Sequence, residues 1–398
     1  MQERRPPLPR QIRSLLWVRA LNQMGAYTVP FLAVYAGPEL ATAVLGAFGV
    51  GAFLSRWLGA WMALHLSPRT VVSTGLAATG VALILLLSVR GSLTMVGAAA
   101  LVGLAFEIYE PVTYEAFAQA VTASERRRAY TLLSTVLVAA GALSGLVVTV
   151  LLPLGTNWLI LADSATCFAA AAVAWRHLSA DRPLPRAERQ KSRWKPPSSL
   201  VLLTTAGTIF SIGYLAVVMF VPLALFDRGA AAWVPGVILM VSAVAAPLLS
   251  ATRSRAAGNR HRPRELEFGL TVTALLGVAL TTLHDVVWFS ALYVLWTAGS
   301  ASLLGEWSAR VADHAPAPDR TLWFAFHGSS WAVAQPAVPA CVALLAPVVP
   351  DASDAALLVA PAALALSAIL LLFTAPPGVR GGTASDLAGR PDEQPRRG

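Results

Sequence analysis

Lysine is nearly absent from this chain: of its 30 basic residues only Lys191 and Lys195 are lysine, and charged residues make up 13% of the 398, against roughly 25% in an ordinary soluble domain. Cysteine is almost as scarce. Cys167 and Cys341 each lie inside an apolar stretch, so neither a disulfide framework nor a cysteine metal centre is expected. No His or Cys spacing fits a metal ion, and no metal is expected. A phosphate-cradling Walker loop is missing too, which excludes ATP as an energy source. No enzymatic constellation and no cofactor are read from the chain.

What is present is hydrophobicity, at 56% of residues and a mean hydropathy of +0.62. One water-soluble core cannot hide that much apolar surface. Membrane lipid is therefore the expected surrounding. A net charge of +9 is in the range of nucleic-acid binders, but the arginines sit in short runs between apolar stretches of helical length, which excludes that partner. The preference for Arg, Ala, Gly and Pro resembles GC-rich bacterial coding, so a bacterial inner membrane is the expected location.

A bilayer core of about 30 Å takes roughly 20 apolar residues per helix. Segments of that length fall at about 14–36, 40–66, 69–89, 92–120, 128–152 and 157–177, and again at 200–226, 231–252, 266–284, 287–311, 321–348 and 355–374. The pattern predicts a short N-terminal segment (1–13), a six-helix half (14–177), a basic Pro-rich linker (178–199), a second six-helix half (200–375) and a polar tail (376–398). The first span carries no small-residue cleavage site and is read as uncleaved. All basic residues except Arg19, Arg56, Arg90 and Arg228 fall on one side of this arrangement, so both termini are expected in the cytoplasm.

The halves echo one another. Val29-Pro30 with Gly37 returns as Val221-Pro222 with Gly229 at an offset of 192 residues, and Glu125-Arg126 returns as Asp319-Arg320 at 194. Parallel repeats of this kind occur in facilitator transporters.

From Gly103 to Gly145 the chain resembles the major facilitator superfamily, in particular its twelve-helix drug-exporter-like branch. Gly103-Leu-Ala-Phe-Glu107-Ile-Tyr109-Glu110-Pro111, then Ser124-Glu125-Arg126-Arg127 and an Ala/Gly-rich fifth span, is similar to the fourth-to-fifth-helix region of bacterial exporters. Glu110 stands where those carry arginine. The loop after span two keeps Gly59 but has Ala63, Leu64 and Leu66 in place of the usual Asp, Arg and Gly, and the fifth-span signature is reduced to Gly141 and Gly145. The resemblance implies an all-α membrane protein of about twelve transmembrane helices in two parallel six-helix halves. It also implies alternating-access transport of a small-molecule substrate and a monomer.

A charge inside a span costs about 2.5–3.5 kcal/mol on insertion scales, so intramembrane charges are paired or functional. Arg19 lies in span one, Arg56 in span two, Glu107, Glu110 and Glu115 in span four, and Glu306 in span ten. On a continuous helix Glu107, Glu110 and Tyr114 share one face. Glu107 and Glu110, with Arg19 and Glu306, are the candidates for proton coupling or substrate binding. Arg19 or Arg56 would pair with whichever carboxylate stays ionised. Arg56 and Glu115 also read as structural or gating ion pairs. Asn22, Gln23, Tyr27, Tyr109 and Tyr114 are candidate cavity-lining residues, with helix-to-helix bonding as the alternative. Asp163 is expected near the outer surface, and His327, the one intramembrane histidine, in a packing role. Trp158 and Trp288 are expected in the outer interface belt and Trp17, Trp61, Trp175 and Trp194 in the inner one, with Trp296 and Trp331 deeper.

The leading expectation is proton-driven export of a small amphipathic molecule. An importer or facilitator of the same fold stays open, as does a non-transporting scaffold, sensor or lipid-modifying protein.

Overall fold

A computed structural model of the protein describes residues 10–113, 126–178, 195–257, 264–316 and 320–373, and among these there is no β-strand. Helix is what a bilayer demands, because it satisfies every backbone N–H and C=O within one segment. The helices are α1 (Arg10–Gly25), α2 (Thr28–Ala36), α3 (Ala41–His65), α4 (Pro68–Ser88), α5 (Ser92–Phe106), α6 (Arg126–Leu151) and α7 (Thr156–His177). After the linker come α8 (Ser198–Asp227), α9 (Val234–Ala257), α10 (Glu265–Thr282), α11 (Val286–His314), α12 (Arg320–Leu345) and α13 (Ala352–Leu372).

Among the described residues ten spans are long and apolar enough to cross a membrane, counting α5 with its continuation to Thr113 as one. The other two expected spans fall short for visible reasons. In α9 the apolar stretch is confined to Val234–Leu249. The first span, expected to be continuous, is α1 and α2 separated by a turn at Ala26 and Tyr27. Span four is also interrupted, at residues 107–109. Both breaks begin four residues before a proline, Pro30 and Pro111. A proline ring displaces the carbonyl at i−4 and removes the bond to it. Elsewhere Pro222, Pro247, Pro336, Pro339 and Pro361 sit within unbroken helices.

Local caps place several ends. Ser67 Oγ accepts from the Thr70 N–H at 3.3 Å with Pro68 opening α4, and Asp285 Oδ1 accepts from the Val287 and Trp288 N–H groups at 3.0 Å to start α11. Gly37 ends α2 at φ 77°, a left-handed conformation that suits glycine.

The packing repeats. In the first half α3 packs on α5, α4 on α5 and on α7, and α1 on α6 and α7; in the second, α9 packs on α11, α10 on α11 and α13, and α8 on α12 and α13. Each pairing has its counterpart six spans later. Between the halves the main contacts are α3 with α12 and α6 with α9, which also exchange under the same relation. Large apolar side chains such as Trp57, Leu248, Phe268 and Leu275 point outward, at 61–71% exposure for these four. A soluble protein would not tolerate that surface; a lipid-facing one requires it.

The connections at residues 37–40, 89–91, 152–155, 228–233, 283–285 and 346–351 lie on one face, called here the short-loop face; the connection at 66–67 is at the opposite end. At that end glycines bring the halves together. A Cβ on Gly49 would sit 2.7 Å from the Gln335 carbonyl, and one on Gly145 or Gly236 would sit 2.4 Å from Met240 N or 2.3 Å from Thr149 N. Tyr27, Phe31, Val148, Leu152 and Leu159 form a cluster there, flanked by Phe226 and Leu239 of the other half. The short-loop face is closed.

Candidate functional site

The break in span four presents Glu107 and Glu110 to different partners. Glu107 is 5% exposed; its Oε2 accepts from Arg56 Nε of α3 at 2.7 Å, and its Oε1 from Gln335 Nε2 of α12 at 2.8 Å. Arg56 continues across the seam, donating through Nη1 to the Gly328 carbonyl of α12 at 3.1 Å. Glu110 instead meets Arg19 of α1, with both Nη atoms 3.4 Å from Oε1. The expectation that the two carboxylates share one regular helix face is therefore corrected. Pro111 unwinds the chain between them and gives each its own arginine.

Glycine makes the approach possible. A Cβ on Gly103 would meet Phe48 O at 2.0 Å, one on Gly51 would meet Ala100 O at 2.2 Å, and one on Gly59 would meet Ile108 O at 2.6 Å. The backbones of α3 and span four thus lie against each other along the whole approach to Glu107, and Ser55 Oγ accepts the Glu107 N–H at 3.0 Å. This bond ties the backbone at the break to α3. Glu107 stands about 22 Å below the short-loop face at 1.5 Å per residue from Ser92, past the middle of a bilayer core.

The other expected residues disperse. Asn22 donates to Tyr109 Oη at 2.5 Å, and the Arg19 guanidinium lies 5.8 Å from the Tyr109 ring, so both join the Glu110 end of the site. Gln23 is half-buried. Tyr27, a candidate cavity-lining residue, parts from Asn22: the turn at 26–27 places it in the short-loop cluster, 2% exposed. Glu306 is half-buried, with no ion pair among the described residues. Tyr114 and Glu115 lie outside the described residues, as does Trp194.

Asp163 is a further correction. It is not at the outer surface but 5% exposed inside the first half, where it accepts a hydrogen bond from Thr28 Oγ1. Trp17, Trp61, Trp158, Trp175 and Trp288 are exposed at the bundle periphery, and Arg69 stacks on Trp175 at 4.1 Å.

Sequence reasoning missed Gln335, an amide among small apolar residues, and a buried ion pair between Arg310 of α11 and Glu267 of α10. The signal for Gln335 was its position: a polar side chain between Trp331 and Pro336 at span depth. Trp296 and Trp331, expected deep in their spans, and His327, expected in a packing role, belong to an aromatic column in the second half whose other members sequence reasoning did not single out. Tyr214 stacks on Trp296 at 6.0 Å and packs on Trp331 at a tilt at 5.6 Å, Phe210 packs on Trp307 at 5.8 Å, and Trp307 stacks on His327 at 5.7 Å. The indole N–H groups of Trp296 and Trp307, His327 Nδ1 and Gln335 Oε1 are buried with no hydrogen-bond partner among the described residues. Among the described residues no group of three or more His, Cys, Asp and Glu could hold a metal ion.

Two helical halves related by a repeat, enclosing charges at bilayer depth, define a multi-pass membrane transporter fold. The sequence profile of the Major Facilitator Superfamily matches residues 15–305, and the chain belongs to that family. Among solved structures it is similar to a peptide transporter of the POT kind in complex with sulfate, at 15% identity and a TM-score of 0.71, covering 92% of this chain and 94% of that one. A POT family transporter in complex with 5-aminolevulinic acid matches at 13% identity and TM-score 0.72 over 92% and 96% of the two chains. A bacterial homolog of the human lysosomal transporter Spinster, inward-facing and unoccupied, matches at 10% and 0.67 over 93% and 96%. At these identities the likeness establishes the fold. No curated protein sequence matches the chain. The protein is a secondary transporter of the major facilitator fold.

Proposed function

We propose that the protein exports a small amphipathic molecule in exchange for protons, across a bacterial inner membrane with both termini in the cytoplasm and residues 14–177 and 200–375 as its moving halves. The observation that carries this reading is the placement of Glu107. It is the carboxylate through which the two halves hold each other, by Gln335 directly and by Arg56 through the Gly328 carbonyl.

A proton arriving on Glu107 cancels the charge that holds Arg56 and weakens the bond from Gln335. The cross-half tie is then released, and the halves are free to reorient. Glu110 and Arg19 stay paired within the first half and hold α1 to span four. The aromatic column stands on α8, α11 and α12 of the other half, and its indole donors, without partners among the described residues, suit a flat, partly polar molecule. Both features support a neutral or cationic substrate. A monomer suffices, since the site lies between halves of one chain.

The test is proton movement in inside-out vesicles during exposure to a panel of lipophilic cations. Wild type is expected to respond, and Glu107→Gln, inserted at equal level, to lose the response by roughly tenfold or more, about 1.4 kcal/mol per decade. A Glu107→Gln response equal to wild type would remove Glu107 from the coupling step.

A further inference from the structure

Each acid of the central site has an arginine: Arg56 for the buried Glu107 and Arg19 for the partly exposed Glu110. Glu267 likewise has Arg310. Asp163 is the exception. Seven residues into α7, it lies about 10 Å below the short-loop face, 5% exposed. Its described partners are the Thr28 hydroxyl and the Cys167 thiol, the latter at 3.6 Å from Oδ1.

Among the described residues every neighbouring element is free of cations at this depth. The joint of α1 and α2 brings Thr28 and Tyr27, and α7 itself brings Cys167. The only charged side chain of α4 is Arg69 at its far end, where it stacks on Trp175. In α6 the charges are confined to Arg126, Arg127 and Arg128, at the end away from Asp163. Arg19 lies lower on α1 and is bound to Glu110.

The position is mechanical as well as electrostatic. Asp163 fills the notch beside Gly25, the last residue of α1, where an added Cβ would lie 2.2 Å from Oδ1, and it bonds Thr28, the first residue of α2. Below the break, α1 carries the Arg19 and Asn22 contacts of the central site. Above it, α2 packs on α8 of the other half. The joint thus connects the central site to the closed end of the molecule.

A carboxyl in low dielectric with no cation nearby is far more costly ionised than neutral. We propose that Asp163 is a second proton-carrying residue, separate from Glu107 and Glu110, whose protonation sets the bend between α1 and α2. Neutral, it accepts from Thr28 and holds the joint as described. Ionised, it needs further donors, which the first-turn N–H groups of α2 supply when the joint opens. The proton exchanges between water and a carboxylate oxygen, with no other chemistry. The proposal rests on membrane depth and needs neither a known substrate nor Glu107 as the coupling site.

Infrared difference spectroscopy on the purified protein in lipid, titrated across the neutral range, tests it. The expected result is a protonated-carboxyl C=O band that disappears as pH rises. It should be absent in Asp163→Asn and still present in Glu107→Gln and Glu110→Gln. Persistence of a titrating band in the triple variant Asp163→Asn, Glu107→Gln, Glu110→Gln would overturn the proposal, as would the absence of any titrating band in the double variant Glu107→Gln, Glu110→Gln. Should Asp163→Asn not fold, Thr28→Val replaces it. Loss of one hydrogen bond is expected to move the band to higher frequency, and an unmoved band would assign it elsewhere. Loss of vesicle coupling in Glu107→Gln with an intact Asp163 band separates the two sites.

Discussion

The pair Arg56 and Glu107 is uneven: the carboxylate side chain is 6% exposed and the arginine 31%. Removing the arginine strands a buried charge, whereas removing both does not. Arg56→Ala is therefore expected to destabilise the protein by roughly 2 kcal/mol. The double variant Arg56→Ala, Glu107→Gln is expected to recover most of that loss. Thermal melting in detergent of both single variants and the double reads out this coupling. These residues were legible in the sequence because charge at bilayer depth is costly wherever it stands. Their pairing was not legible. Which arginine meets which carboxylate depends on how far span four unwinds at Pro111, a consequence of the i−4 carbonyl clash that hydropathy does not report. Gln335 carries no charge, so the same argument passed it by, and Asp163 was misplaced because a position seven residues into a span reads as shallow until a neighbouring helix covers it.

At the scale of elements, helices α3 and α5 meet with almost nothing between their backbones. Gly103→Ala puts a methyl group 2.0 Å from Phe48 O, a contact only a backbone shift can relieve. A loss of about 1–3 kcal/mol is expected, seen as a lower melting temperature, together with a longer separation between spin labels at Leu54 and Leu101, both on the exposed surface. An unchanged melting temperature would mean that the two helices slide freely. The spans themselves were readable from length and apolarity, which are local and additive. The interruptions of the first and fourth spans carried a visible sign in Pro30 and Pro111, yet five other prolines leave their helices intact, so proline alone does not forecast a break. The order in which helices pack was foreshadowed only by the Val-Pro and acidic-basic repeats, because adjacency is set across long sequence separations.

In the whole molecule, closure of the short-loop face rests on glycine. Gly145→Leu places its side chain into the Met240 backbone, where even a Cβ comes within 2.4 Å of nitrogen. It is expected to force α6 from α9 and favour the state open on that face. Spin labels at Leu154 and Trp233, both exposed on the short-loop face, should then move apart by several ångströms, while an unchanged distance would show that the seam yields elsewhere. The two seams between the halves are equivalent in topology and opposite in character. One, α3 against α12, adds to its Gly49 contact two cross-half hydrogen bonds, from Arg56 to the Gly328 carbonyl and from Gln335 to Glu107; the other, α6 against α9, joins glycine to backbone with no ion pair among the described residues. The molecule is therefore built like a locket, with a clasp along one edge and a plain hinge along the other. A locket opens about its hinge, so motion should begin on the charged edge and reach the glycine edge last, and a symmetric fold acquires a preferred order of movement.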